Sequence, residues 1–136
     1  MIYAVIDTNV LVAAALTHNP QSPTVRVVDG LFLQEYLILY DDDIIREYRE
    51  VLSRKRFNIS KEEIDNLLAF IISNGIASER LAYEQPMLDE KDRVFYEIAL
   101  SHDDSFLVTG NLKHFPIEPR VVTPAEMVEI LTSQKK

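Results

Sequence analysis

The sequence contains no cysteine among its 136 residues. Disulfides, thiolate zinc sites and cysteine nucleophiles are therefore excluded, and any metal ion must be bound by oxygen or imidazole. Glycine is also scarce, since Gly30, Gly75 and Gly110 are the complete set. Without a glycine-rich phosphate loop, a P-loop protein or a dinucleotide-binding protein is unsupported.

Long hydrophobic runs are missing as well, because no apolar stretch approaches the roughly 20 residues of a membrane span. The N-terminal run from Ile2 to Ile6 ends at Asp7 and has no feature of a signal peptide, so we expect a cytoplasmic protein. The formal net charge of -8 has the wrong sign for capture of nucleic acid by the whole surface. The excess acid either serves solubility or includes carboxylates that converge on a divalent cation.

The length and an ordinary composition, 47% hydrophobic and 26% charged, predict one domain over 1–136. Apolar, β-branched runs predict strands at 2–6, 36–40, 105–109 and 120–123, with a short additional strand at 76–78 or 80–83. Helical spacing and capping residues predict helices over 10–16, 24–34, 43–54, 60–74, the stretch after 89–92, and 124–131. This alternation is typical of an α/β fold, with a central parallel sheet covered by helices on both faces.

Two polar side chains directly follow predicted strands. Asp7 follows the first strand, and Asn111 follows the strand that ends at Thr109. Ligands bind at the carboxyl ends of strands in open α/β sheets, and these two strands could be neighbours, so both side chains are candidates for a site. Each also has a simpler explanation, as a helix cap or a turn residue.

Two further acids lie at the inner margins of predicted helices. Glu47 comes three residues after Ile44 and four before Val51, on the border of an apolar face, whereas Glu50 points outward. An inward carboxylate needs a partner, which could be an arginine such as Arg26 or Arg54, or else a metal ion.

Asp92 shares an inward stripe with Phe95 and Ala99, while Asp89 is the better candidate for the helix cap. Carboxylates from separate elements suit Mg²⁺ or Mn²⁺, which could activate water and neutralise a phosphodiester. The histidines at 18, 102 and 114 have no spacing that supports a zinc motif or a serine triad. The basic clusters at 54–56 and 113–114 could meet an RNA backbone or could be solvated helix ends.

Four segments together resemble the PIN-domain nucleases, in particular the toxin components of toxin–antitoxin systems. They are AVIDTNVL at 4–11, EYREVLSR at 47–54, KDRVF at 91–95 and LVTGNLKHF at 107–115. The likeness spans nearly the whole chain in the order of the family, and the combination is far more specific than any one segment.

The resemblance implies a Rossmann-like sheet with an acidic pocket. It also implies a hydrolase, namely a Mg²⁺- or Mn²⁺-dependent endoribonuclease that cleaves single-stranded or structured RNA. Asp7, Glu47 and Asp92 match the three acids of the family as catalytic residues and metal ligands. Asn111 stands where many members carry a fourth acid, so a second metal ion would be held less tightly. Supporting polar positions are Thr8, Asn9 and Thr109, and Ser22 is a looser match. The partners implied are an RNA substrate, a small antitoxin protein, and further copies of the chain in a homodimer or larger homo-oligomer, with no membrane.

Two rival interpretations remain. The first is a PIN-like scaffold that binds RNA or a protein without cutting. The second is a phospho-acceptor domain of flavodoxin-like topology, which would need a paired acid beside the acceptor and a lysine after the last strand. Pro124 follows Thr123 at that place, which disfavours the second.

Overall fold

The computed structural model describes residues 1–134. Its strands are β1 (Tyr3–Ile6), β2 (Leu37–Tyr40), β3 (Ile76–Ala77), β4 (Ser105–Val108) and β5 (Val121–Val122). Its helices are α1 (Thr8–Leu16), α2 (Pro23–Phe32), α3 (Asp42–Leu52), α4 (Lys61–Asn74), α5 (Arg93–Leu100) and α6 (Pro124–Ser133). Single-turn 3₁₀ helices lie at Lys55–Phe57, Glu90–Asp92 and Leu112–His114.

The five strands form one parallel sheet in the order β3-β2-β1-β4-β5. The predicted α/β class with a central parallel sheet is therefore confirmed. β1 lies at the centre, where Ala4, Val5 and Ile6 are fully buried. A strand buried on both faces reads as a continuous apolar run, which is why this segment could be assigned from the sequence. No helix in the described part of the chain is both long and apolar enough to cross a membrane.

β1 and β4 are neighbours, and their register places the last residue of each strand opposite the other. Ile6 pairs with Val108, so the residues that follow, Asp7 and Thr109, leave the sheet side by side. Two parallel strands present their carboxyl ends at the same edge. The expectation that these two strands are adjacent is confirmed.

Several predicted boundaries and caps were wrong in detail. The helix predicted over 24–34 ends at Phe32 because Gln34 adopts a left-handed conformation, with φ of 57°. The helix predicted to reach 54 ends at Leu52, and the additional strand is confined to Ile76–Ala77. Such ends are set by local backbone conformation, which apolar spacing does not encode.

The helix caps follow the sequence in some cases and depart from it in others. Thr123 and Glu126 form the complete reciprocal capping box that opens α6. At α4 the pattern of Ser60 and Glu63 predicts a capping box, and half of it forms: the Ser60 side chain accepts from the Glu63 N–H, while the Glu63 carboxylate accepts from the Ser60 hydroxyl and not from its backbone N–H. Ser22 sits at the N-cap position of α2, but its hydroxyl contacts Thr24 Oγ1 instead of a backbone N–H.

The core is anchored by large side chains with satisfied polar atoms. Tyr48 of α3 is fully buried and donates a 2.5 Å hydrogen bond to the carbonyl of Ile6 in β1. Tyr36 is also buried and donates to the Val27 carbonyl at 2.8 Å. Burial, together with the nearby charge of Asp7, raises the pKa of the Tyr48 hydroxyl, so it remains a donor. This bond fixes α3 against the end of β1, beside the carboxylate that follows that strand.

Candidate functional site

Asp7 is held in place by the ends of two strands. Its backbone N–H donates to the Val108 carbonyl at 2.9 Å, and its Oδ2 accepts a 2.7 Å hydrogen bond from the hydroxyl of Thr109. Asp7 is 6% exposed and Thr109 is fully buried. Although Asp7 occupies the N-cap position of α1, its side chain makes no capping hydrogen bond. The simpler explanation of Asp7 as a helix cap is therefore wrong.

Glu47 reaches the same place from α3. It is partly buried, as its spacing from Ile44 and Val51 predicts, while Glu50 is exposed. Its Oε2 accepts a 3.2 Å hydrogen bond from the hydroxyl of Thr8. Arg54 was considered as a partner of Glu47, but its Nη2 atom instead lies 3.3 Å from Oε1 of Glu50.

Asp92 is the last residue of the 3₁₀ helix that precedes α5. It occupies the N-cap position of α5, but its side chain makes no capping hydrogen bond there. Asp89 provides a cap instead, because its carboxylate accepts from the Lys91 N–H at 3.0 Å. One oxygen of Asp92, Oδ2, lies 2.9 Å from Nδ1 of His114. Sequence reasoning missed His114 as a site residue, because the two residues are 22 positions apart and no pattern links them.

These side chains line one open cavity of about 430 Å³ at the carboxyl edge of β1 and β4. The residue types around it are mixed: the acids Asp7, Glu47, Asp89 and Asp92, the polar Thr8, Asn9 and Asn111, and the basic Arg54, Arg56, Lys91 and His114. Every predicted acid therefore lies in the same pocket, together with Asn111.

Asn9 and Thr109, two of the supporting polar residues, hold the backbone that follows β4 at this pocket. The Gly110 N–H donates to Asn9 Oδ1 at 3.3 Å, and the Asn111 N–H donates to Thr109 Oγ1 at 3.0 Å. The Thr109 hydroxyl thus accepts from the Asn111 N–H while it donates to the Asp7 carboxylate. Ser22, the looser match, is not among the residues that line the pocket.

Burial, with a smaller contribution from neighbouring acids, raises the pKa of Asp7. Burial raises its pKa to about 6, the nearby charges of Asp92 and Glu47 add to the increase, and the hydrogen bond from Thr109 opposes it. Burial also raises the pKa of Asp92, against a hydrogen bond from His114. Asp7 is thus close enough to Asp92 and to Glu47 for their charges to act on it.

The donor set consists of hard oxygen ligands, which suits Mg²⁺ or Mn²⁺. As the side chains stand, no three acidic or histidine side chains within residues 1–134 form a group that could hold a metal ion. The hydrogen bonds of Glu47 to Thr8 and of Asp92 to His114 each engage one carboxylate oxygen. Coordination by all three acids would therefore need side-chain rotation within the pocket.

A parallel sheet with acids gathered at the carboxyl edge of its central strands is an arrangement suited to metal-assisted hydrolysis. The PIN domain family matches residues 3–113, and the chain therefore belongs to that family. PIN domains are generally nucleases and typically use divalent metal ions. The matched range contains all three acids and Asn111, whereas His114 lies just beyond it. No curated protein matches the chain.

Proposed function

We propose that the protein is a metal-dependent endoribonuclease that hydrolyses RNA phosphodiester bonds, with Asp7, Glu47 and Asp92 as its catalytic acids. The observation that supports this most strongly is the convergence of carboxylates from three separate elements on one pocket. Among residues 1–134, none of the three forms an ion pair with lysine or arginine. Acids brought together without a lysine or arginine bonded to them suit a divalent cation.

In this proposal Asp7, Glu47, Asp92 and Asn111 hold Mg²⁺ or Mn²⁺. A divalent ion bound there would lower the pKa of a water molecule and neutralise charge on the phosphodiester. Thr109 and Thr8 orient the carboxylates of Asp7 and Glu47 through the hydrogen bonds described above. Asn111 offers one carbonyl oxygen and no charge, which supports one tightly held ion better than two.

The test is a divalent-metal titration with a pool of RNA, read by sequencing the cut ends. We expect cleavage with Mn²⁺ or Mg²⁺ by the wild type, and none by Asp7→Asn or Asp92→Asn. The matched control is Asp103→Asn, which removes an exposed carboxylate from the turn between α5 and β4. Equal cleavage by all four proteins, or by none of them with any ion, would overturn the proposal.

We further propose that the biological role is that of a toxin neutralised by a small antitoxin, acting as a homodimer or larger homo-oligomer. The support is the resemblance of the four sequence segments to toxin components. Expression of the wild type should then arrest growth, and expression of Asp92→Asn at the same level should not. Normal growth with both proteins would contradict this role and leave the nuclease proposal standing.

The alternative is a scaffold that binds RNA or a protein partner with little or no cleavage. Asn111 favours it, because many family members carry an acid there. Asn111→Asp distinguishes the two. A nuclease with a weak second metal position should gain activity from the added carboxylate, whereas a scaffold should gain none.

A further inference from the structure

The rim of the acidic pocket carries an aromatic side chain stacked with a cation. The 3₁₀ helix Lys55–Phe57 follows α3, and within it the Arg56 guanidinium carbon lies 4.8 Å from the centroid of the Phe57 ring. Asn58 closes this turn in a left-handed conformation, with φ of 52°. Arg56 and the half-buried Phe57 both line the pocket.

The rim is basic although the protein is acidic. Arg54, Arg56 and Lys91 line the pocket around its carboxylates. Within the described residues, Arg56 and Lys91 have no ion-pair partner, and Arg54 has only the exposed Glu50 at 3.3 Å. In a chain with a net charge of -8, such cations beside a cluster of acids suit a ligand that carries several phosphates. A single small anion would need no flat aromatic surface.

We infer that Arg56 and Phe57 form a stacking platform for one unpaired base of a nucleic-acid strand, while Arg54 and Lys91 contact its phosphates. Bases stack on aromatic rings and on arginine guanidinium planes, and this requires a base face that is free. The platform therefore selects single-stranded over double-stranded substrate. This inference rests on the proposed function in assuming a nucleic-acid substrate, and it adds the part of the strand that the rim recognises.

The binding test uses a short, fluorescently labelled single-stranded RNA of mixed sequence. It is titrated into protein on the Asp92→Asn background, so that the strand stays intact during the measurement. Phe57→Leu keeps an apolar side chain but removes the ring, and we expect it to weaken binding by about 5- to 100-fold. Phe57→Tyr keeps the ring and should bind as the parent does. The same sequence in duplex form should bind equally to all three proteins.

The matched control for the aromatic change is Phe32→Leu. Phe32 is 45% exposed and packs against Phe70 on another surface, so its replacement should leave RNA affinity unchanged. Thermal unfolding of each variant separates lost binding from lost folding. Equal RNA affinity of Phe57→Leu and its parent would overturn the platform, as would an equal loss of affinity for duplex.

Two variants separate the contribution of the Arg56 charge from that of its planar guanidinium group. Arg56→Lys keeps the charge and loses the planar guanidinium, whereas Arg56→Gln loses the charge as well and leaves only a small amide. We expect both variants to weaken single-strand binding, and only Arg56→Gln to reduce the slope of log affinity against log salt by about 1. Arg46→Gln removes an exposed arginine of α3 that pairs with Asp43 and is not among the residues that line the pocket, so it is the control for net charge. Full affinity in both Arg56 variants would contradict the inference.

The two proposals fail in different ways. If binding depends on Phe57 but no RNA is cut by the wild type, the platform stands and the nuclease proposal fails. If the wild type cuts RNA, and Phe57→Leu binds and cuts RNA to the same extent, the nuclease proposal stands and the platform fails.

Discussion

Nδ1 of His114 lies 2.9 Å from Oδ2 of Asp92, so that the 3₁₀ helix after β4 orients an acid at the start of α5. Partners of this kind fix the direction of a metal ligand, and their loss typically weakens metal binding by about 10- to 100-fold. We expect His114→Ala to reduce Mn²⁺ affinity by about 10-fold, measured by titration calorimetry. His102→Ala, at a ring that packs on Tyr3 instead, is the control. Unchanged Mn²⁺ affinity in His114→Ala would show that this contact does not orient Asp92 for metal binding.

The raised pKa of Asp7 predicts that its ionised carboxylate destabilises the metal-free protein. The pKa is about 6 in the folded state against 3.8 for an ordinary aspartate, so the folded state binds the proton more tightly. Stability should therefore fall as pH rises from about 4 to about 6, by about 3 kcal/mol in total for this group. Asp7→Asn should accordingly raise the free energy of unfolding at pH above about 7, and the gain should vanish near pH 4.

This is measured by urea denaturation in a chelator across that pH range. Asp103→Asn, at an exposed position, should show no such pH-dependent difference from the wild type. A difference between Asp7→Asn and wild type that stays constant with pH would refute the assignment of the destabilisation to the charge of Asp7.

The buried hydroxyl of Thr109 should lower the pKa of Asp7. Thr109→Val keeps the side-chain shape but removes the 2.7 Å hydrogen bond, so we expect the pKa of Asp7 to rise further. The loss of a hydrogen bond to a charged group should also reduce stability by about 1 to 3 kcal/mol at neutral pH. Carboxyl carbon NMR shifts followed with pH report the change. Thr109→Ser retains the donor and should resemble the wild type.

Glu97 ties the segment over 78–88 to α5. It is 6% exposed, its Oε1 lies 2.7 Å from Arg80 Nε, and its Oε2 accepts from the Tyr83 N–H at 2.8 Å. Glu97→Gln removes the charge, and we expect a loss of about 2 kcal/mol at neutral pH with faster amide exchange in the segment. The exposed Glu84→Gln is the control.

The stability that Glu97 contributes depends on pH with the opposite sign to that of Asp7. Burial alone would raise the pKa of Glu97, but the Tyr83 N–H and Arg80 together lower it below 4.5. The stabilisation is therefore complete above the ordinary pKa and is lost as pH falls through the lowered value. If the difference in stability between Glu97→Gln and wild type widens on acidification, the pairing does not act in this way.

The sheet and the pocket acids were accessible from the sequence because each depends on a strong local pattern. β1 is a continuous apolar run that ends at Asp7, and the inward side of α3 shows in the spacing of Ile44 and Tyr48 around Glu47. The family resemblance then supplied the grouping of acids that local patterns could not. The roles of those acids stay predictions until metal binding is measured.

Other features depend on contacts between distant residues and leave no periodic signal. The pairing of Asp92 with His114 joins a helix start to the 3₁₀ helix after β4, and the two residues are 22 positions apart. The hydrogen bond from Thr8 to Glu47 likewise spans 39 positions. Sequence reasoning could name such residues only as polar or basic, without a partner.

The bond between Thr109 and Asp7 joins residues 102 positions apart, and it has a consequence for when the pocket exists. During synthesis, a nascent chain that has emerged only as far as α4 holds Asp7 and Glu47 but lacks β4, the central neighbour of β1. Contacts this far apart form late, because the intervening chain must first be available and closed into a loop. The ribosome therefore carries an unassembled site for most of translation, and a truncated product that stops before β4 leaves one edge of β1 unpaired and has no complete pocket.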